Sequence, residues 1–337
     1  MTELIRSATL THYAKLARSV GLDPPTMLRK VRLPLTCLER RDLRIPVRNV
    51  RRLLELSAND SGVETFGLQL AERGDLSNLG PLALLIREQA TIGTALEALS
   101  RFIHIHNEGM RIAIAREGGL ATIAILLRGG LRQSTELALG TTNRGISLLC
   151  AGHWRPLEIH FSHGPPRSRR FHRQFFGCEL TFHSEFDGIV CAESDLDHRI
   201  PSASPELARF LEGRIEVFEE QLDRWDARVA MLVRVLLPGG DCSIERVAEH
   251  LGCDRRTIHR RLADCGTTFS DVVDNERAEI ALRLIDERSR PLAEIAEMIG
   301  FSAQSAMARW FRDRFGCSIT EWRNDSRERM RIASGRR

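Results

Sequence analysis

A chain of 337 residues is long enough for two domains with their own cores. Its formal net charge is only +4, which excludes a generic polyanion binder, so any basicity that serves nucleic acid must be local. Nearly all of that basicity is arginine, with lysine only at Lys15 and Lys30, and arginine keeps its charge and binds phosphate in a bidentate fork.

From Leu4 to about Leu99 the apolar spacing is helical, with turns marked by Gly21-Leu22-Asp23-Pro24-Pro25, Pro34, Pro46 and Asp60-Ser61-Gly62. The period then changes to two. Met110, Ile112 and Ile114 alternate with Arg111, Ala113 and Ala115, and Ala121 to Leu127 follow Glu117-Gly118-Gly119, which predicts a hairpin closed by glycines. Glu158 to Phe161, Glu179 to Phe182 and Gly188 to Cys191 read as further short strands. Helices first and strands after predict an α+β N-terminal domain over residues 1–203.

Ile103-His104-Ile105-His106 reads as an extended segment with both imidazoles on one side, and with His153, His160 or His163 it has the side chains of a zinc site. No carboxylate or cysteine stands at ligand spacing, so these histidines are read as polar positions lining a sheet face or pocket, and no metal or cofactor is assigned. Cys37, Cys150, Cys178, Cys191, Cys242, Cys253, Cys265 and Cys317 contain no C-x-x-C pair and are read as reduced thiols filling cores. No nucleophile elbow, phosphate loop or dinucleotide fingerprint is present, and the chain is read as a non-enzyme. No basic leader precedes a long apolar run and no stretch of eighteen apolar residues occurs, so the expected location is the cytoplasm, off the membrane.

Residues 204–240 are expected to hold one long helix and a linker. Leu207, Leu211, Ile215, Phe218, Leu222, Trp225, Val229, Leu232 and Leu236 form an apolar seam whose spacing alternates three and four from Ile215. The seam either pairs two copies of the chain or buries one helix on its own domain; a homodimer contact is the expectation. Pro238 to Asp241 is the candidate linker.

Residues 241–326 carry a helix, a glycine turn and a second helix, written twice. In the first copy Ser243 caps a helix with Ile244, Val247, Ala248 and Leu251 inward, Gly252 ends it, and Asp254 caps a helix from Arg255 to Ala263 with Ile258 and Leu262 inward. In the second, Leu292, Ile295, Ala296 and Ile299 share a face, Gly300 turns the chain, and the next helix places Met307, Trp310 and Phe311 inward. The outward residues are Arg255, Arg256, His259 and Arg260 in the first copy and Gln304, Ser305 and Arg309 in the second. Arginine pairs with guanine O6 and N7, glutamine with adenine N6 and N7, and a helix fits the major groove. Phe269 to Glu287 joins the copies as a helix of about 28 Å, close to the ~34 Å turn of B-DNA, so two readers can enter successive major grooves on one face of a duplex. Residues 327–337 form a basic tail.

This C-terminal pattern resembles the AraC/XylS family of bacterial transcription regulators. The residues that carry it are Asp254 through Leu262, Arg277 to Leu284, Ile299-Gly300-Phe301-Ser302, Arg309-Trp310-Phe311-Arg312 and Phe315-Gly316, within Cys242 to Arg323. Asp254 stands where the family usually has serine, and Ile319 where it usually has proline, which leaves open how the last short helix begins. The N-terminal region, from about Leu16 to Leu211, resembles the arabinose-binding-like sensor domain of one subgroup. It does so through Arg44-Ile45-Pro46, Phe66-Gly67-Leu68, Leu79-Gly80, Ala95-Leu96, Trp154-Arg155-Pro156, Phe161-Ser162-His163 with Pro165 and Pro166, Phe175-Phe176-Gly177 and Ile200-Pro201.

The resemblance implies sensing of a small-molecule effector of open identity, association into dimers, contact with RNA polymerase, and activation in preference to repression. The expected function is therefore a sequence-specific regulator that binds double-stranded promoter DNA under effector control. Two alternatives stand beside it. One is a DNA-repair-type enzyme with the same helical appendage, which needs a reactive cysteine in a clustered metal site. The other is a constitutive DNA-binding dimer without an effector.

Overall fold

The computed structural model describes residues 3–152, 154–237, 242–251, 253–287 and 290–324, and of these the side chains of 217–223, 235, 287 and 324 are left aside. The chain divides between Gln221 and Leu222 into two compact units.

The N-terminal unit opens with β1 (Leu4–Arg6), α1 (Tyr13–Ser19) and α2 (Pro24–Lys30), where Asp23 accepts from the Thr26 backbone N–H at 3.0 Å and proline occupies the first turn. Next come β2 (Arg44–Pro46), α3 (Val47–Ser61), α4 (Phe66–Arg73), α5 (Pro81–Arg87) and α6 (Ile92–His106). The expectation of helix throughout this stretch needs one correction: β1 and β2 pair antiparallel, with Ile5 opposite Ile45, and pin the start of the chain beside α3. Then follow β3 (Met110–Glu117), β4 (Leu120–Leu127), α7 (Arg132–Leu149), β5 (Glu158–Phe161), α8 (Arg170–Phe176), β6 (Glu179–Phe182) and β7 (Gly188–Ala192).

The strands form a five-stranded sheet in the order β3-β4-β7-β5-β6, antiparallel except for the β5–β6 pair. Gly118 and Gly119 both take positive φ, +61° and +80°, as a two-residue hairpin turn of the primed type requires. The register lines up one aliphatic side chain per strand, Ile114, Ile123, Ile189, Ile159 and Leu180, and the three central ones are fully buried. Helices α6 and α7 pack on this sheet.

A second correction concerns the histidines. Ile103 to His106 are the last turn of α6 and not an extended segment, so His104 and His106 do not share a side; His153 lies outside the described residues. Thr91 and Thr94 begin this helix with a capping box, and its buried face runs Leu96, Leu99, Phe102, Ile103 and His106 at helical spacing.

The long helix expected across residues 205–237 is two helices. It breaks at Arg224, whose backbone is extended, giving α9 (Pro205–Asp223) and α10 (Trp225–Leu236). Arg224 donates to both carboxylate oxygens of Asp226, from Nε at 3.1 Å and from Nη2 at 2.7 Å, which holds the start of α10. The seam divides with the helix: Val229 and Leu232 are fully buried inside the C-terminal unit, where α10 packs on the helices of that unit, while the side chains of Phe218 and Leu222 lie outside the described residues. The expected linker at 238–241, the turn glycine Gly252 and the basic tail also lie outside them.

The C-terminal unit continues with α11 (Ile244–Leu251), α12 (Arg255–Asp264), α13 (Phe269–Glu287), α14 (Leu292–Met298), α15 (Gln304–Phe315) and α16 (Ile319–Asn324). Thr268 and Asp271 start α13 with reciprocal bonds, Thr268 N–H to the carboxylate at 3.0 Å and Asp271 N–H to the hydroxyl at 3.2 Å. Ser318 and Glu321 do the same for α16, at 2.6 and 3.2 Å, so a capping box begins that helix where Ile319 replaces proline, and Ile319 itself is buried. Chain N-terminal α+β domain and helical C-terminal unit thus follow one another in the expected order.

Candidate nucleic-acid interface and sensor cavity

Helix α12 is positioned by Asp254, whose Oδ1 accepts from the Thr257 N–H at 2.7 Å; that bond holds the carboxyl below its ordinary pKa. Ile258 and Leu262 are fully buried, which turns Arg255, Arg256, His259 and Arg260 outward, all four exposed. Arg255 stands 3.7 Å from Glu245 of α11 with both side chains largely in solvent, a contact of little energy that leaves its guanidinium available. Arg261 differs: its guanidinium lies over the Trp225 ring of α10, 5.7 Å from the centroid.

Helix α15 begins after Gly300, at φ +80°, and an extended Ala303. Met307 and Phe311 are fully buried, and Gln304, Ser305 and Arg309 are exposed. Trp310, expected inward, is half-buried because its indole N–H reaches Asp274 of α13 at 2.5 Å. The same carboxyl-bearing face of α13 binds Arg314, whose Nη2 donates to Asn275 at 2.6 Å. Arg277 of α13 donates to the carbonyl of Ile299 at 3.1 Å and covers the Phe301 ring at 5.0 Å, satisfying an orphan carbonyl at the end of α14. On the other side of α13, Arg234 of α10 forms a fork with Glu276 at 2.5 and 2.8 Å and a further bond to Glu279 at 2.9 Å. Both readers are therefore tied to one helix, α15 by the side-chain bonds of Trp310 and Arg314 and α12 both by direct packing on α13 and through α10. These ties are long-range, and nothing in the local sequence announces them.

The N-terminal unit has two features that sequence reasoning missed. The first is a partly open cavity of about 120 Å3 lined chiefly by α3, α6 and α7, with Met110 and Leu127 of the sheet on its wall. The second is a buried polar cluster. Glu136 of α7, with no exposed surface, stands 3.1 Å from Arg132, 3.0 Å from His172 Nε2 and 3.7 Å from His163 Nε2. Phe161 and Phe182 stack at 4.9 Å beside both imidazoles, and burial lowers the pKa of His163. Of the expected histidines, His163 joins this cluster, whereas His160 pairs with Glu158 and Ser184, each at 3.0 Å. Among the described residues no group of three metal-ligating side chains is placed to hold an ion.

Burial pushes the thiols of Cys37 and Cys191 up to about 12 and those of Cys150, Cys178 and Cys242 up to about 11. The reactive cysteine that the DNA-repair alternative needs is the opposite, a thiol activated to thiolate near neutral pH. Among the described residues no helix is long and apolar enough to cross a membrane.

Residues 21–200 match the family model of the arabinose-binding domain at the N-terminus of AraC transcription regulators, and residues 247–325 match that of a helix-turn-helix domain. The HTH-type transcriptional regulator VirS of Mycobacterium tuberculosis is 30% identical over 330 residues, 95% of this chain and 96% of its own. The ornithine utilization regulator of Pseudomonas aeruginosa is 25% identical over 268 residues, 78% of this chain and 79% of its own. The crystal structure of the transcriptional regulator CdpR from Pseudomonas aeruginosa covers 89% of this chain and 96% of its own at 21% identity, with a TM-score of 0.42. The double reader on its joining helix, the two family models and the match to VirS over 95% of the chain agree: the chain belongs to the AraC family of transcription regulators, with an arabinose-binding-type N-terminal domain and a helix-turn-helix DNA-binding domain.

Proposed function

We propose that the protein is a cytoplasmic transcription activator that binds promoter half-sites as a homodimer and is switched by a small molecule held in its N-terminal domain. The observation that carries the DNA-reading part is the pairing of α12 and α15 on α13. Arg255, Arg256, His259 and Arg260 on one reader and Gln304, Ser305 and Arg309 on the other are exposed above fully buried Ile258, Leu262, Met307 and Phe311. Their chemistry suits base edges and phosphates in the major groove. The cavity supports effector control, since close-packed protein interiors leave little such room and ligand sites are concave and mostly apolar. Effector binding shifts the population of arrangements in which the readers engage DNA, and contact with RNA polymerase follows from that engagement.

Dimer contact through α9 is supported by Leu207 and Phe210, one helical turn apart and 43% and 64% exposed. Phe210→Glu then gives monomers by sedimentation of the full chain, and an unchanged dimer moves the interface elsewhere. The DNA reading is tested by footprinting on operators altered between the two contacted grooves. One molecule protects two major-groove segments about ten base pairs apart on one face. Inserting five base pairs rotates one segment by about 180° and abolishes tight binding, whereas inserting ten restores it only if α13 flexes. Unchanged affinity with the five-pair insertion means that only one reader engages DNA.

A further inference from the structure

The cavity of the N-terminal domain owes part of its space to short side chains on α7, which stand there among Leu137, Ile146 and Leu149. Ser134, Ala138 and Thr141 recur at four and three residues and face larger aliphatic side chains of α3 and α6 across the gap, while Gly145, one turn further on, lies against Leu76. Short side chains on one wall leave space that a core would otherwise fill.

The exposed wall is mostly apolar, and part of its hydrogen-bonding capacity is spent within the protein. Arg51 donates to the backbone carbonyls of Arg128 and, at 3.3 Å, Gly109. Asn107 accepts from the Gly109 N–H at 3.0 Å, and the hydroxyls of Ser134 and Thr141 both donate to helix carbonyls at 2.8 Å. Two buried atoms on the wall have no partner: Nδ1 of His106 and the hydroxyl oxygen of Thr11. Buried polar atoms without partners are uncommon in folded proteins, and a ligand is one way such atoms are satisfied.

We propose that this cavity is the effector site and that its ligand is a ring-sized apolar body bearing a single hydrogen-bonding group, which His106 Nδ1 receives, in the manner of a simple phenol. A sugar does not fit this chemistry. A pentose brings four hydroxyls or more into a wall made mostly of carbon, and each one without a partner forfeits its hydration. Size agrees as well: an apolar cavity of about 150 Å3 accommodates a benzene, and this one is of that order. A cationic head is disfavoured, because Arg6 and Arg44 already act on the His106 ring, which burial and these two charges hold down to about 3. The ligand's role as effector rests on the regulatory reading above; its fit to the cavity does not.

The test measures binding to the full chain by calorimetry with three probes, p-cresol, toluene and L-arabinose, together with operator affinity in the presence of each. p-Cresol binds the native protein and L-arabinose does not. His106→Phe keeps an aromatic wall but removes the polar atom, so p-cresol weakens about tenfold, toward toluene, while toluene is unchanged. Ala138→Leu fills the space and abolishes binding of both aromatics, with native melting checked by circular dichroism. The assignment is overturned if L-arabinose binds as tightly as p-cresol, if neither aromatic binds at millimolar concentration, or if p-cresol binds Ala138→Leu undiminished. Aromatic binding that leaves operator affinity unmoved upholds the cavity chemistry and removes the regulatory reading. Operator affinity that responds to another metabolite while neither aromatic binds does the reverse.

Discussion

His106 makes the interior of the N-terminal domain sensitive to acid, and the effect can be worked out in advance. The imidazole is buried at the end of α6, and desolvation, reinforced by Arg6 and Arg44, lowers its pKa from the ordinary 6.5 to about 3. The unfolded chain binds a proton at this side chain below pH 6.5, whereas the folded chain does not until about pH 3. Above pH 6.5 the two states carry the same charge there and the shift costs nothing; below it the unfolded state gains, and stability falls as pH drops toward 3. Between pH 7 and pH 5 this amounts to about 2 kcal/mol, with a limiting slope of ~1.4 kcal/mol per pH unit. His106→Phe removes the titration and also the unpaired Nδ1. The variant is therefore more stable than the native chain at pH 7 by about 1 kcal/mol, and the gap widens to about 3 at pH 5. Urea unfolding followed by circular dichroism at both pH values reads the gap, with the transition of the C-terminal unit, which the substitution does not touch, as internal reference. A gap that stays constant from pH 7 to pH 5 refutes the reasoning, because it means His106 takes up its proton without unfolding.

Ile258→Asp and Phe311→Asp each place an unpaired carboxylate in a fully buried position, a cost of several kcal/mol against a total of about 5 to 15, and the C-terminal unit loses its cooperative melt. Native-like melting of both variants means the inward and outward faces are exchanged. Arg256→Ala and His259→Ala spare the fold and lower affinity for a specific operator by about 1 to 3 kcal/mol each, measured by competition binding. Equal loss on random DNA shows phosphate contact in place of base reading. Arg234→Met strands Glu276, which is almost fully buried, and destabilises the C-terminal unit by about 3 kcal/mol. Adding Glu276→Leu recovers most of that in chemical denaturation, and no recovery assigns the cost to lost packing of the arginine stem.

The hairpin of β3 and β4 was legible in the sequence because alternation over eight residues on each side of Gly118-Gly119 leaves no other register with the apolar side buried. Ile103 to His106 were misleading for the same reason at a shorter range. Four alternating residues fit a strand, while the competing helical face only emerges when Leu96, Leu99 and Phe102 are read with them. The break at Arg224 escapes periodicity altogether, since the seam keeps its spacing across it; the signal is the Arg224–Asp226 fork at the start of the new helix. The turn residues and caps of both readers, Asp254 and Gly300 among them, could be placed from local chemistry. The anchoring of the readers to α13 could not, because Trp310–Asp274, Arg277–Ile299 and Arg234–Glu276 are contacts between residues 22 to 42 positions apart. The cavity belongs to the same class: small side chains on α7 are visible in the sequence, but only the approach of α3 and α6 makes them the wall of a void.

The nineteen residues of α13 act as a ruler with a fixed phase. Each residue of helix contributes about 1.5 Å of length and about 100° of rotation, so gaining or losing one residue swings the second reader away from the face of the duplex that the first one occupies. Side chains on α12 and α15 can change one at a time and redirect the protein to new base pairs. The distance between the two contacted segments has no such gradual route. Operators for proteins built on this plan can therefore diverge in sequence far more readily than in spacing.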